Sequence, residues 1–296
     1  MTRNKEDSIT TPRPGIAAWL LLAPLLMWLA TFVVLPMAIL LVYSFLHSAD
    51  FGEVEAKFTL DNYRRMFSPV YALVLWRSVC YAAVTTGLCV VIGYPVAYFI
   101  GRTAPPWRNR LLMLVMIPFW TSFLVRAYAW FAILMEHGLL KSALHALRIM
   151  PTLISADVRL LYTPGAVLIA LVYTYLPFVI LPVYGSVEKL DVSLLEAAAD
   201  LGAGPLRSFV RVILPLTWPG VVAAILLVFV PSVAMFAVTS VMGGGRVLLI
   251  GDLIQDQFTA AGGNLPFGAA LGMALLALFL LSFLLIGRKA AFQAMR

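Results

Sequence analysis

The 296-residue sequence predicts an all-α membrane protein with six transmembrane helices. Composition leads there first. Hydrophobic residues make up 62% of the chain and charged residues 12%, where a soluble domain carries about 25% charged residues; mean hydropathy is +0.96. Several uncharged runs approach or exceed the ~20 residues needed to cross a bilayer. They are continuous rather than alternating. That pattern fits helices, which satisfy their backbone groups internally, and not the short alternating strands of a β-barrel.

The elements follow in order. Residues 1–15 read as a cytoplasmic tail, and 16–296 as one transmembrane domain with a cytoplasmic loop at 188–218. The apolar stretch after the basic tail is too long for the core of a secretory signal, so it reads as a retained first span. That span covers 16–45, with Pro24 and Pro36 bending it; the next are 78–101, 111–135, 163–187, 219–242 and 266–287. Prolines inside spans are tolerated where neighbouring groups re-satisfy the backbone. Cys80 and Cys89 share one apolar run and read as packing residues without a disulfide framework. Arg77 reads as an interfacial residue at a span end.

Six spans place both termini on one side, and charge selects the side. The tail, the 102–110 loop, the 188–218 loop and the C-terminus hold 12 Lys/Arg and 6 Asp/Glu. The 47–72, 136–162 and 242–265 segments hold 7 Lys/Arg and 8 Asp/Glu. The positive-inside rule puts the first set, with both termini, in the cytoplasm. The formal charge of +7 is thus a topology signal, not a nucleic-acid footprint. On the outer face, KFTLDNYRR (57–65) reads as a surface helix start capped by Thr59 or Asp61, 136–162 as short surface helices, and LIGDLIQDQF as an amphipathic stretch.

No enzyme site is visible. The chain has no G-x-x-x-x-G-K-[ST] loop and no Gly-Lys pair. Gly243-Gly244-Gly245-Arg246 reads as a turn leaving the fifth span. His47, His137 and His145 lack metal-ligand spacing. If the chain moves a solute, the energy must come from a partner or an ion gradient.

The most informative stretch is EAAADLGAGPLRSFVRVILPLTWPG, 196–220. Helix formers lead to a turn at Gly202-Ala203-Gly204-Pro205, and a basic amphipathic segment with Arg207 and Arg211 follows. Taken on physics alone, the segment is either a helix seated in a partner's cleft or an interfacial linker between spans. Ala197, Ala198 and Ala199 allow close approach, Gly202 permits a turn closed to residues with a Cβ, and Glu196 offers a carboxylate near the helix N-terminus for a partner arginine. The spacing of Glu196, Ala197, Ala198, Gly202, Val212, Leu214 and Pro215 resembles the cytoplasmic coupling loop of permease subunits in binding-protein-dependent ABC importers; Val212 stands where isoleucine is usual. PFWTSFLVRAYAWFAILMEHGLLKSAL (118–144), GDLIQDQF (251–258) and NLPFGAA (264–270) are similar to the spermidine/putrescine-type branch.

This resemblance implies a type I importer permease in a bacterial inner membrane. It implies two copies of an ATPase subunit bound at the Glu196–Pro215 loop, a second homologous permease and a periplasmic or extracellular solute-binding protein. ATP and Mg would sit on the ATPase, leaving no cofactor and no catalytic or metal residue on this chain. Arg126 is the one clear charge inside a span, and burial there is costly. It reads either as a pathway residue or as a structural donor to backbone carbonyls. Trp120, Tyr128, Trp130, Tyr173 and Tyr175 are candidate aromatic faces for a passing cation. Met235 and Ser240 occupy the positions after Pro231 where the polyamine branch often carries acids, and no Asp or Glu lies in any predicted span. A polyamine-like solute is the first expectation and an opine- or amino-acid-like zwitterion the alternative. Two other classes, an ion-coupled secondary transporter and a membrane enzyme, would call for intramembrane acids or a polar catalytic cluster, and neither feature is present in the sequence.

Overall fold

In the computed structural model, the described residues are 16–48, 54–136, 138–146, 159–260 and 262–294. The 1–15 tail, His137 and the 147–158 part of the outer segment lie outside them. The helices are α1 (Ile16–Leu29), α2 (Leu35–Ser44), α3 (Asp61–Met66), α4 (Pro69–Arg102), α5 (Pro105–Trp120), α6 (Phe123–Leu134), α7 (Leu139–Ala146), α8 (Pro164–Val187), α9 (Val192–Asp200), α10 (Pro205–Ser208), α11 (Leu214–Val233), α12 (Ala237–Gly243), α13 (Ile250–Thr259) and α14 (Leu265–Ala294). Five helical stretches are long and apolar enough to cross a membrane, and a sixth span exists if α5 and α6 count as one.

The core is a three-helix contact among α4, α8 and α11. Without a hydrophobic drive between helices in lipid, close backbone approach at small residues supplies the packing. Gly93 and Gly101 on α4 leave room for Val179 and Val187 of α8, and Gly220 of α11 sits against Ser186 and the Pro182 carbonyl. A second cluster joins α4, α11, α13 and α14 through Ala82, Val233, Ile250, Phe267 and Leu275. Among the described residues the first span packs on α14 through α2, and the side chains of 21–39 are exposed on this chain.

Four sequence expectations change. The third span is not one helix: α5 and α6 meet at 89°. Thr121 and Ser122 are extended, and the break follows Pro118, whose ring removes a donor from the helical ladder. The fifth span ends at Val233 instead of 242, shortly after Pro231, and α12 resumes as a separate helix. At its other end it starts earlier than 219, since α10, a π-helical turn (Phe209–Ile213) and α11 run on without interruption. Finally, β1 (Leu46–Ser48) and β2 (Val54–Phe58) pair as a two-stranded antiparallel sheet, the only strands among the described residues. Strands this short carry too few residues for a legible alternation.

The π-helical turns have a shared cause. Ala30–Val34 precedes Leu35-Pro36, and Phe209–Ile213 precedes Leu214-Pro215, with the same two-residue offset. Proline lacks an N–H and its ring clashes with the carbonyl four residues back. Widening the preceding turn accommodates it without breaking the helix. Arg77 lies two turns inside α4. At 34 residues, α4 exceeds the ~20 needed to cross, so its first turns can stand outside the hydrocarbon.

Candidate functional site: the coupling loop and the Arg126 cavity

The loop begins where α8 ends. Glu188 caps α8 and pairs with Arg108 at 3.0 Å, fastening the 102–110 loop to the root of 188–218 on one face. Asp191 is the N-cap of α9, its side chain accepting from the Ser193 amide at 3.0 Å. That bond, with the Ser193 hydroxyl, holds the Asp191 carboxyl below its usual range. Asp-Val-Ser before an apolar periodic run is the sequence signal for this N-cap.

The turn at the end of α9 has a defined geometry. Gly202 is left-handed at φ 77°. The Gly202 amide donates to Ala199 O at 2.9 Å and the Ala203 amide to Ala198 O at 2.9 Å. This pair of bonds is the Schellman pattern, which satisfies the last carbonyls of a helix and turns the chain. Pro205 then starts α10, fixed in φ and needing no amide partner.

Glu196 and Ala197 are exposed on α9, while Ala198 is buried. Ala198 therefore packs the loop on itself, and Ala197 and Ala199 are the small residues available to a partner. Glu196 lies in the second turn of α9, not at its N-terminus, so the helix dipole adds little there. Leu201 and Leu206 flank the turn at 88% and 77% exposure. Next to them an open groove of about 570 Å³ runs along Gly202, Pro205, Arg207 and Arg211. Leu214 packs on the helical core and Pro215 is exposed at the start of α11.

A link missed in the sequence joins this loop to the core. Phe209 in the π-helical turn meets the Tyr94 ring edge-on at 5.5 Å. The Tyr94 and Thr217 hydroxyls lie 2.8 Å apart, and Thr217 donates to Ile213 O at 2.8 Å. These contacts tie the π-helical turn of the loop to α4 as well as to α11.

The pathway candidates separate. Arg126 is 9% exposed and its Nη1 donates to Pro118 O at 2.9 Å, where the Thr121 hydroxyl also donates at 2.7 Å. The guanidinium thus satisfies a carbonyl freed by the α5–α6 break, the structural one of its two expected roles. It also lines a cavity of about 330 Å³ with Thr121, Trp130 and Tyr173. Trp130 and Tyr173 stack edge to face at 5.6 Å. Tyr175 is instead buried in the core beside Phe178. Trp120 and Tyr128 are 76% and 59% exposed on this chain's surface and do not line that cavity. Met235 sits in the α11–α12 break, and Ser240 is exposed on α12, which packs on α6 and α8.

Gly244 (φ 53°) and Gly245 (φ 76°) make the turn that ends α12, and Gly244 lies against the Tyr162 ring. Beyond it, buried Asp252 accepts from the Leu249 amide at 2.9 Å and contacts the Thr239 hydroxyl at 2.7 Å. Burial pushes its carboxyl up, against the opposing pull of those donors. The Ile250 amide donates to Ser78 Oγ at 2.7 Å. GDLIQDQF therefore docks α13 onto α12 and α4. Among the described residues no group of three or more His, Cys, Asp or Glu is placed to hold a metal ion.

The family model for "Binding-protein-dependent transport system inner membrane component" matches residues 93–292, which include the loop, the broken third span and the α13 node. The chain belongs to this family. The permease is 43% identical over 254 residues to the spermidine/putrescine transport system permease protein PotB of Haemophilus influenzae, covering 86% of this chain and 87% of that one. It is 44% identical over 248 residues to PotB of Escherichia coli strain K12, covering 84% and 88%. The inner membrane ABC transporter permease protein YdcU of the same strain is 32% identical over 292 residues, covering 95% and 92%. In fold, the permease matches a bacterial ABC transporter involved in import of the acidic polysaccharide alginate, at TM-score 0.65 and 17% identity over 93% of this chain and 96% of that one. It also matches the alginate transporter in complex with its pentasaccharide-bound periplasmic protein, at TM-score 0.69 and 16% identity over 91% and 92%. The chain is thus a multi-pass inner-membrane permease subunit of an ABC importer, and the ion-coupled alternative falls away.

Proposed function

We propose that the permease forms half of the pathway through which an ATP-driven importer moves a small amine-type solute of the polyamine kind. The relatives named for spermidine and putrescine, at 43–44% identity over more than four-fifths of the chain, support that solute class. A second, homologous permease completes the pathway, and a solute-binding protein docks on the face that carries the hairpin, α7 and α13. Two ATPase copies bind the opposite face and hold ATP and Mg. Both termini lie on the ATPase side, in the cytoplasm, as the charge distribution favours.

One observation carries the coupling role. The α9–Gly202–α10 unit is internally satisfied, yet presents Leu201 and Leu206 bare beside exposed Glu196. Apolar side chains held out on a rigid turn outside the bilayer mark a contact surface. Closure of the ATPase dimer then moves α9 and α10 together. The Arg108–Glu188 pair and the Tyr94–Thr217 link pass that motion to α4, α8 and α11. At the pathway, Trp130 and Tyr173 offer aromatic faces to the amine, with Arg126 fixing the shape of the cavity they line; Trp120, Tyr128, Met235 and Ser240 are proposed to face the second permease.

The test is ATP-driven uptake of labelled spermidine and putrescine by the complete importer in proteoliposomes. Glu196→Lys is expected to insert normally but to lose ATPase docking and uptake. Normal uptake by this variant would contradict the lever. Competition by an amino-carboxylate but not by spermidine would overturn the solute class.

A further inference from the structure

We infer that a crevice between α4 and α14, on the face away from the coupling loop, is a site for an anionic phospholipid. One acyl chain would lie in the crevice and the phosphate on Arg65, with Arg64 beside it.

The location follows from the path of α4. Its Arg102 end leads to the loop fastened to Glu188, so its Pro69 end, with α3 and the start of α14, lies on the opposite face. The crevice there measures about 310 Å³, at the lower end for small-molecule sites. Phe67, Ala72, Leu75, Leu271, Ala274 and Leu278 wall it. From Leu271 to Leu278 it follows α14 for about 10 Å at 1.5 Å per residue. An apolar slot of this kind is not a water site. It is also too small for a helix, which with side chains is about 10–12 Å across. A flexible hydrocarbon chain fits both limits.

The mouth supplies the charge. Arg64 and Arg65 are both exposed, and neither forms an ion pair with any described carboxylate. The Arg65 guanidinium lies over the Phe267 ring at 4.8 Å and near the Tyr71 ring at 5.7 Å. Stacking of this sort fixes the guanidinium by its face and leaves its N–H fork free for two phosphate oxygens. Phe267 and Tyr71 thus place a cation where an apolar slot opens at the end of a span, the arrangement a phospholipid presents in reverse.

The experiment is native mass spectrometry of the assembled importer in detergent, titrated with phosphatidylglycerol or with phosphatidylethanolamine of identical chains. Wild type is expected to retain phosphatidylglycerol at lower concentration. Arg65→Gln should weaken phosphatidylglycerol retention about fivefold, the worth of one surface arginine toward anionic lipid, and change phosphatidylethanolamine little. Ala274→Trp should remove both adducts by filling the slot, and Ala72→Phe repeats that measurement should the first variant fail to assemble. Equal retention of the two lipids by wild type, or adducts unchanged in whichever filled variant assembles, would overturn the proposal. So would a disulfide between Ala72→Cys and the second permease with lipid retention unaltered, because the slot would then belong to a protein contact.

Discussion

Gly202 is the position at which the coupling geometry can be perturbed with least collateral change. A Cβ added there meets no atom within 4 Å, but the backbone stands at φ 77°. The cost of a side chain is therefore conformational rather than steric. A non-glycine residue held left-handed costs roughly 1–2 kcal/mol, and a β-branched one is the less tolerated. One to two kcal/mol is about a 5- to 30-fold shift in population, here between the Schellman turn and a re-routed chain that no longer holds α10 against α9. Asparagine tolerates the left-handed region. The expected order of ATP-driven uptake, and of ATPase co-purification, is Gly202, then Gly202→Asn, then Gly202→Ala, then Gly202→Val. Membrane insertion should be equal throughout, since the position lies outside every span. Wild-type uptake by both the Ala and Val variants would refute the claim that the turn positions the loop. Asparagine as damaging as valine would show that the open space beside Gly202, not its φ, is what the partner needs.

Two further outcomes follow from the packing and from the Asp252 node. Gly101→Leu places a side chain where the first carbon already lies 2.6 Å from Val187 Cγ1; overpacking of this kind costs about 1–3 kcal/mol, so the solubilised complex should melt lower, with partial recovery when Val187→Ala is added, and an unchanged melt would contradict the close α4–α8 approach. Asp252 has its carboxyl raised by burial, so the folded state holds the proton more tightly than the unfolded one. Its contribution is present below the unfolded value and lost as pH rises through the folded value. Asp252→Asn keeps an acceptor for the Leu249 amide without the charge, and should narrow the difference in melting temperature between about pH 4 and about pH 7; an unaltered difference would mean that another group sets that slope.

Much of the architecture was written in long-range composition. Apolar runs located five of the spans to within their ends, the third run, with Arg126 in it, proved to be the bent pair α5 and α6, and Glu196 to Pro215 located the loop with its turn glycine. Local chemistry was harder to read. Proline at 36, 215 and 118 was visible, but only tertiary context separates a π-helical turn from a full break. At Pro118 the break is stabilised by donors from Thr121 and Arg126, and the Arg126 partner comes from beyond the bend. The separation of Tyr175 from Tyr173 was equally hidden. They are two residues apart on α8, one turned into the core and one toward the cavity, and a helix apolar all round gives no moment by which to choose. Arg108–Glu188 and Tyr94–Thr217 join residues 80 or more apart in the chain, beyond the reach of any local pattern.

The central claim, that this chain is half of a permease pair driven through its 196–215 loop, is tested most directly by native mass spectrometry on the chain co-expressed with its chromosomal neighbours. The account predicts a particle with one copy of this chain, one second permease and two ATPase copies, losing the ATPases in Glu196→Lys. Recovery of this chain alone or as a homodimer, or ATPase retention undiminished in that variant, would contradict it.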